Sequence, residues 1–255
     1  MTKISDIYEY LCELAPLELQ MDFDNSGFQI GRPEKEVSKV LLALDVTDEV
    51  VEEAEHIGAE LIISHHPLIF RGIKSILGND PDGQRLLKLA EKGIAVISMH
   101  TNLDIAEGGV NDVLMRMLGV EPKHALDALG CGRVGELDKA MPMKDFLELC
   151  REKLSVNGLR YYDSGKPVKK IAVMGGSGGD NIDDAFSRGC DTYVTADIKY
   201  HQFQRAAELG INLIDADHFC TENPIIPDLS NRLTEQYKEI EFIVSKKNKA
   251  IISFA

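Results

Sequence analysis

Residues 40–64 read VLLALDVTDEVVEEAEHIGAELIIS, in which an amphipathic stretch separates two apolar runs. The first run is almost continuously apolar, which is typical of a strand buried on both faces of a sheet. In the amphipathic stretch the apolar residues recur at helical spacing, with Thr47 placed to cap the helix and Gly58 to end it. Because a second apolar run of strand length follows directly, the segment predicts a β-α-β unit with parallel strands.

The same alternation continues and then recurs in the second part of the chain. Helices are predicted at residues 82–92, 182–188 and 202–209, and strands at residues 94–99, 170–174, 190–195 and 211–216. Gly58 and Gly189 match at an offset of 131 residues. Gly93 and Gly210 match at 117, so the first series holds 14 more residues between its second and third strands. We interpret this match as a duplicated β-α-β-α-β unit, and the alternative is that unrelated units share glycine at helix ends.

The remaining segments complete two halves. Strands are also predicted at residues 133–137, 159–162, 241–244 and 250–254, and helices at residues 143–154 and 226–237. The sequence therefore predicts an α/β fold with two related α/β halves, mostly parallel sheets and covering helices. The halves are placed at residues 1–128 and 129–255, with the functional site in the cleft between them.

Composition and charge exclude several classes of protein. The chain has 255 residues, of which 44% are hydrophobic and 27% charged, as in globular rather than disordered proteins. Its 42 acidic and 28 basic residues give a net charge of −14, which disfavours nucleic acids and anionic membranes as partners. The sequence shows neither a secretory-signal pattern nor an apolar run of membrane-spanning length. Its five scattered cysteines exclude a disulfide framework and a cysteine-based zinc finger, and we expect a cytoplasmic protein.

Histidines collect at the ends of three predicted strands. His65 and His66 directly follow the strand that ends at Ser64. His100 follows the next strand along the chain, and His218 follows the last strand of the second series. In open α/β sheets, ligands bind at the carboxyl ends of the strands. Four of the seven histidines therefore lie where a site is expected, although each alone could be a hydrogen-bonded loop residue.

These histidines and two acidic residues fit a metal site. Imidazole suits zinc, iron, cobalt or nickel, and carboxylate also suits manganese. The predicted ligands are His65, His66, Asp104, His218 and Glu222. Because five ligands exceed what one open catalytic ion needs, we predict two divalent ions bridged by Glu222 and a water or hydroxide. Zn, Mn, Fe, Co and Ni all remain open as the metal.

Two further histidines are candidates for proton transfer. His100 is either a metal ligand or a hydrogen-bonding neighbour of the ligands. His201 is either a proton donor or acceptor in the pocket or a surface residue at a helix start. We predict both as catalytic residues.

Two other features lie close to the predicted strand ends. The GGSGG stretch at residues 175–179 is either a phosphate cradle or a plain turn between a strand and a helix. It lacks the GxGxxG spacing and the lysine of phosphate-binding loops, which favours a turn. Asp197 matches His66 in the duplication, so we expect it to line the same pocket.

Five motifs, in order, resemble those of one known family. They are DFDNSGFQIG at residues 22–31, SHHPLIF at 64–70, HTNLD at 100–104, TADIKYH at 195–201 and HFCTE at 218–222. These resemble the W-D-N-x-G-L-Q-x-G, S-H-H-P-L-x-F, H-T-x-x-D, T-G-D-x-x-Y/H-H and G-H-x-x-T-E motifs of the GTP cyclohydrolase 1 type 2 homologue family, also called the NIF-three-like family. Phe23 stands where tryptophan is usual, and Ala196 and Asp217 stand where glycine is usual.

The resemblance implies a two-domain α/β fold built from related halves, in the short form without an inserted central domain. It also implies a dinuclear metal site whose ligands fall on the five residues named above, with Glu222 bridging. The family further implies a ring-like homohexamer whose sites face an internal cavity.

We therefore expect a metal-dependent hydrolase that acts on a nucleotide-like or other anionic small molecule. The family label implies ring opening of GTP, although no residue pattern in this sequence indicates guanine recognition. The alternative is a non-enzymatic metal-binding regulator or metallochaperone. The net charge of −14 argues against nucleic acid threading through a ring.

Overall fold

Strands and helices alternate along most of the computed structural model, which describes residues 1–254. The strands are β1 (Gly27–Ile30), β2 (Lys39–Ala43), β3 (Leu61–Ser64), β4 (Ala95–Ser98), β5 (His124–Ala125), β6 (Arg133–Met141), β7 (Arg160–Tyr162), β8 (Val168–Val173), β9 (Thr192–Thr195), β10 (Asn212–Asp215) and β11 (Glu241–Val244). The helices are α1 (Ile4–Leu14), α2 (Asp48–Ile57), α3 (Pro81–Lys92), α4 (Thr101–Ile105), α5 (Val110–Met117), α6 (Met143–Lys153), α7 (Ile182–Ser187), α8 (Tyr200–Leu209), α9 (His218–Glu222) and α10 (Ile225–Gln236). Within the described range, none of these helices combines the length and apolarity that a bilayer crossing requires.

The chain divides into two units with bounds that differ from the predicted halves. The first unit holds residues 1–106 and 226–249, and the second holds residues 107–225 and 250–254. The predicted boundary at 128 and 129 therefore falls inside the second unit. One reason is that α5 buries Leu114 and Met115 in the core of the second unit. The other is that β11, near the end of the chain, pairs with β2 of the first sheet.

The first unit is built on a five-stranded sheet with the order β1-β4-β3-β2-β11. Its strands run parallel except for β1, which is antiparallel to β4. Leu41, Ile62 and Val96 from the three central strands are fully buried, and they pack with Val51 of α2 and Leu89 of α3. The predicted buried parallel strands with covering helices are confirmed here.

The second unit has a six-stranded sheet with the order β5-β6-β8-β9-β10-β7. Strands β8, β9 and β10 are parallel, whereas β5, β6 and β7 each run antiparallel to their neighbours. This sheet is therefore mixed rather than mostly parallel. Phe146 of α6 is fully buried against Val173 and Ile214 in its core.

The strand registers confirm the predicted duplication. The residues side by side on three parallel strands are Val40, Leu61 and Ala95 in the first unit, and Ile171, Thr192 and Asn212 in the second. Val40 and Ile171 are 131 residues apart, and so are Leu61 and Thr192. Ala95 and Asn212 are 117 residues apart, so all three separations equal the glycine offsets. In both units the third parallel strand also carries an antiparallel edge strand. The carboxyl ends of corresponding strands therefore lie in corresponding positions of the two sheets.

The helix α2 has the predicted ends. The Thr47 hydroxyl accepts a hydrogen bond from the backbone N–H of Val50 at 3.3 Å, which satisfies one of the free donors of the first turn. Gly58 ends the helix with a φ of +72°, a left-handed conformation that favours glycine.

The strand predicted at residues 250–254 is wrong, because the chain has already left the first sheet there. After β11, the side chain of Asn248 accepts hydrogen bonds from the backbone N–H groups of Leu44 and Asp45. Glu53 accepts further bonds from the same turn, including one from the backbone N–H of Lys246. These hydrogen bonds hold the turn against the end of β2, and Ile251 beyond the turn is 93% exposed.

We expect the Thr47→Ala variant to lose about 1 kcal/mol of unfolding free energy, because the first turn of α2 loses its cap. Urea denaturation followed by circular dichroism measures the change. Thr47→Ser is the matched control, since it keeps the accepting oxygen. Equal losses in the alanine and serine variants would contradict the capping role.

Candidate metal centre

His65 lies at the end of β3 and is almost fully buried. The hydroxyl of Ser64 donates to the backbone carbonyl of His66 at 2.9 Å, which helps to turn the chain out of the strand. The Nδ1 atom of His65 lies 2.8 Å from the carbonyl oxygen of Met99, at the end of β4. Because a carbonyl oxygen only accepts, Nδ1 of His65 carries a proton, and the neutral form of the ring has its lone pair on Nε2.

His66 and His100 have carboxylate partners at the same nitrogen. Nδ1 of His66 lies 2.7 Å from an oxygen of Asp45, just beyond the end of β2. Nδ1 of His100 lies 2.8 Å from an oxygen of Asp24, in the segment before β1. An ionised carboxylate only accepts, so both imidazoles donate through Nδ1, and the neutral form of each ring has its lone pair on Nε2.

The first unit brings four of the predicted residues together. One ring nitrogen from each of His65, His66 and His100 lies within 4.8 Å of the other two. Asp104, in the first turn of α4, places a carboxylate oxygen 3.6 Å from Nε2 of His65. Several imidazole lone pairs beside a carboxylate are the donor set that borderline divalent metals prefer.

Asp24 is the most enclosed carboxylate of this group, since its side chain has no exposed surface. Burial by itself raises the pKa of Asp24, but hydrogen bonds from His100 and Thr101 lower the pKa well below the usual aspartate value. Asp24 is therefore an ionised acceptor at neutral pH.

The second unit brings together His218 and Glu222, which are one turn apart on α9. Nε2 of His218 lies 3.0 Å from a carboxylate oxygen of Glu222. Asp217 precedes the helix with a φ of +67°, and its side chain accepts from the backbone N–H of Cys220 at 3.1 Å. The positive φ explains why glycine is usual at this position of the family motif. The cap that Asp217 supplies offsets part of the strain.

Asp197 contacts His218, in agreement with its predicted position near the site. A carboxylate oxygen of Asp197 lies 2.8 Å from Nδ1 of His218. Burial lowers the pKa of His218, but the neighbouring Glu222 and Asp197 carboxylates outweigh it and raise the pKa to about 9. In the metal-free protein at neutral pH, His218 is thus an imidazolium held between two carboxylates. A divalent cation on Nε2 would replace that proton.

The GGSGG loop is a turn that packs against Glu222. Its backbone N–H groups at Gly175, Gly176 and Gly178 donate to side chains of the protein itself. Because these three donors are used within the fold, the loop fits a plain turn better than a phosphate cradle. A Cβ atom at Gly176 would lie 2.1 Å from a carboxylate oxygen of Glu222, so the carboxylate can occupy its place only beside glycine.

The structure does not bring His201 to any of these residues. His201 is exposed in the first turn of α8 and belongs to none of the ligand groups found within residues 1–254. Its catalytic role therefore stays a prediction. Cys220 is buried, and burial raises the pKa of its thiol to about 12, which agrees with a packing role.

Sequence reasoning missed Asp45 as the partner of His66. A signal for it was present, because Asp45 is the one charged residue in the apolar run VLLALDV. A charge at the carboxyl end of a buried strand is costly unless it has a partner, and here the partner is an imidazole.

We expect the Gly176→Ala variant to bind divalent metal about 10–100-fold more weakly, because the added methyl group would displace Glu222. Isothermal titration of metal-depleted protein with Zn²⁺ measures the affinity. Gly165→Ala is the matched control, since Gly165 also has a positive φ but has no atom within 4 Å of an added Cβ. Equal affinity in the two variants would contradict the steric role of Gly176.

Comparisons with known proteins agree on one family. The model of the family described as Duf34/NIF3 (NGG1p interacting factor 3) matches residues 2–250. A GTP cyclohydrolase 1 type 2 homolog of Clostridium perfringens is 39% identical over 260 residues, covering 99% of both chains. The crystal structure of Staphylococcus aureus hypothetical protein SA1388 superposes with a TM-score of 0.91 at 32% identity, covering 99% of both chains. Reduced HcgD from Methanocaldococcus jannaschii gives a TM-score of 0.85 at 31% identity, covering 96% of this chain and 98% of HcgD. The chain therefore belongs to the Duf34/NIF3 family.

Proposed function

We propose that this protein is a metal-dependent hydrolase of a nucleotide-like or other anionic small molecule. The observation that carries the proposal is that three site histidines share one hydrogen-bonding arrangement. His65, His66 and His100 each donate through Nδ1, so the neutral form of each ring directs its Nε2 lone pair away from that partner. Of these, His65 and His66 beside the Asp104 carboxylate suit a divalent cation better than a structural hydrogen-bond network.

The proposed ligands are His65, His66, Asp104, His218 and Glu222. The chemistry of this donor set fits Zn, Mn, Fe, Co or Ni. The second unit offers only two of the five, which is too few for a metal site of its own. We propose that these five residues would hold two divalent ions.

When bound, such ions lower the pKa of a coordinated water and polarise the substrate. The residues of the chain supply the rest of the chemistry. His100 is the proposed proton acceptor and donor, and His201 is a second candidate for that role. Local positive charge from the ions would attract an anionic substrate despite the net charge of −14.

The substrate class draws on the relatives. Several of them carry the name GTP cyclohydrolase 1 type 2 homolog. Hydrolytic opening of a purine nucleotide ring is therefore one reaction to test, beside hydrolysis of simple phosphate esters. Both substrate types are anionic, as the proposed cationic centre requires.

A metal-binding regulator or metallochaperone is the second candidate, and one contact favours it. The ion pair between His218 and Glu222 satisfies both groups when no cation is bound. Release of a metal would then leave no unpaired buried carboxylate, which lowers the cost of handing it to an acceptor. A chaperone should lose its metal rapidly to a competing chelator, whereas a hydrolase should retain it through turnover.

We also propose a cytoplasmic homo-oligomer, with a hexamer as the state that the family resemblance implies. Exposed apolar side chains in the loop between β3 and α3 support an assembly surface on the first unit. They include Phe70, Ile73, Ile76 and Leu77. We expect light scattering to give a mass that is a multiple of the 28.3 kDa chain, and Leu77→Asp to lower it. A monomer at micromolar concentration would contradict this proposal.

We expect His66→Ala and Glu222→Ala each to lose bound metal and all turnover, because each removes a proposed ligand. Elemental analysis measures the metal, and hydrolysis of p-nitrophenyl phosphate and of a nucleotide panel measures the activity. His56→Ala is the matched control, since His56 is exposed on α2. Turnover that survives metal removal would exclude the proposed hydrolase.

A further inference from the structure

Asp24 is surrounded by hydrogen-bond donors. One oxygen accepts from Nδ1 of His100 at 2.8 Å and from the backbone N–H of Asn25 at 2.7 Å. The other accepts from the backbone N–H and the hydroxyl of Thr101, at 3.0 Å and 2.5 Å, and from the hydroxyl of Ser26 at 2.9 Å. Five donors on a fully buried carboxylate fix its position and keep it charged.

Asp24 differs from the carboxylates that contact the other histidines. The side chain of Asp45, beside His66, is 40% exposed, and that of Asp197, beside His218, is 46% exposed. Asp24 has no exposed surface, so its charge acts on His100 with little screening by water. A buried carboxylate of this kind stabilises the imidazolium that forms when the histidine takes up a proton.

The ring of His100 packs against neighbouring rings but stays partly exposed to solvent. Its ring centroid lies 5.2 Å from that of His65, 5.5 Å from that of His66 and 6.0 Å from that of Phe70. The side chain keeps 17% of its surface exposed, whereas that of His65 has none. Since Nδ1 donates to Asp24, Nε2 is the nitrogen of His100 that can accept a proton.

We propose that Asp24 is the positioning residue of a proton-transfer pair, and that His100 is its catalytic member rather than a metal ligand. This inference rests on the proposed hydrolase function. Nε2 of His100 takes a proton from the attacking water, whose oxygen bonds to the electrophilic atom of the substrate. The same proton passes to the leaving group as its bond to that atom breaks, so His100 returns to its starting state. Asp24 stays ionised throughout, and in the resting state its hydrogen bond to Nδ1 orients the ring so that Nε2 can accept the proton.

The replacement Asp24→Asn has a defined consequence at the atomic level. The oxygen of an amide accepts, whereas its nitrogen only donates. The oxygen that faces both Thr101 donors and Ser26 serves three hydrogen bonds, so the amide oxygen would remain on that side. The amide nitrogen would then face His100 and donate to Nδ1. The proton of His100 would move to Nε2, and the ring could no longer act as a base.

The test is nitrogen NMR of metal-depleted protein labelled with ¹⁵N-histidine, in which the His100 signals are identified by their loss in His100→Gln. We expect the Nδ1–H form of His100 in the unmodified protein and the Nε2–H form in Asp24→Asn. Asp45→Asn is the matched control, and it should leave the His100 signals unchanged. The Nε2–H form of His100 in the unmodified protein would overturn the proposal, even if Asp24→Asn fails to fold. An Nδ1–H form that persists in Asp24→Asn would also overturn it.

Kinetics and metal content give the second readout, with p-nitrophenyl phosphate as the probe. We expect Asp24→Asn and His100→Gln to lower kcat on the order of 10²–10⁴-fold, with little change in KM. Both variants should bind as much metal as the unmodified protein. Loss of an ion in His100→Gln would make His100 a ligand and overturn the proposal. Undiminished kcat in either variant would overturn the proton-transfer pair alone. No turnover by the unmodified, metal-loaded protein would instead overturn the hydrolase function and the catalytic role of His100 with it.

Discussion

Each site histidine is held through Nδ1, and the arrangement of the site depends on this hydrogen bond. In the first unit the acceptors are the Met99 carbonyl, Asp45 and Asp24, and in the second unit the acceptor for His218 is Asp197. A neutral imidazole that donates through one nitrogen has its tautomer, its ring orientation and its lone pair fixed together. Metal ligation and proton transfer both need that lone pair, so the same bond serves either role.

The fold supplies these acceptors because parallel strands end at a common edge. Met99 directly follows β4, and Asp45 lies two residues beyond β2, on either side of the strand that delivers His65 and His66. The duplicated register places β8, β9 and β10 in the same order in the second unit. Asp45 and Asp197, the partly exposed carboxylates near these ends, each have a histidine within hydrogen-bonding distance, which offsets the cost of their partial burial. The candidate functional side chains therefore lie at the carboxyl ends of the parallel strands.

The central elements of both units could be predicted from the sequence, because burial on two faces and helical spacing leave strong local patterns. The glycine offsets also predicted a register that the strands confirm. The unit bounds and the end of the chain could not be predicted in this way. The pairing of β11 with β2 joins residues that are about 200 positions apart, and no local pattern records it. The apolar run at residues 250–254 resembles a strand, but the chain has left the first sheet before reaching it.

The histidines of the site could be predicted from their positions at strand ends, but their supporting residues could not. Gly176 matters because a carboxylate 46 positions further along the chain occupies the space beside it. The most direct test of a metal centre supported by Nδ1 hydrogen bonds is anomalous diffraction from crystals of the metal-loaded protein. We predict that Nε2 of His65, His66 and His218 and an oxygen of Glu222 each lie about 2.0–2.2 Å from metal density. Coordination through Nδ1, or no metal density beside these atoms, would contradict it.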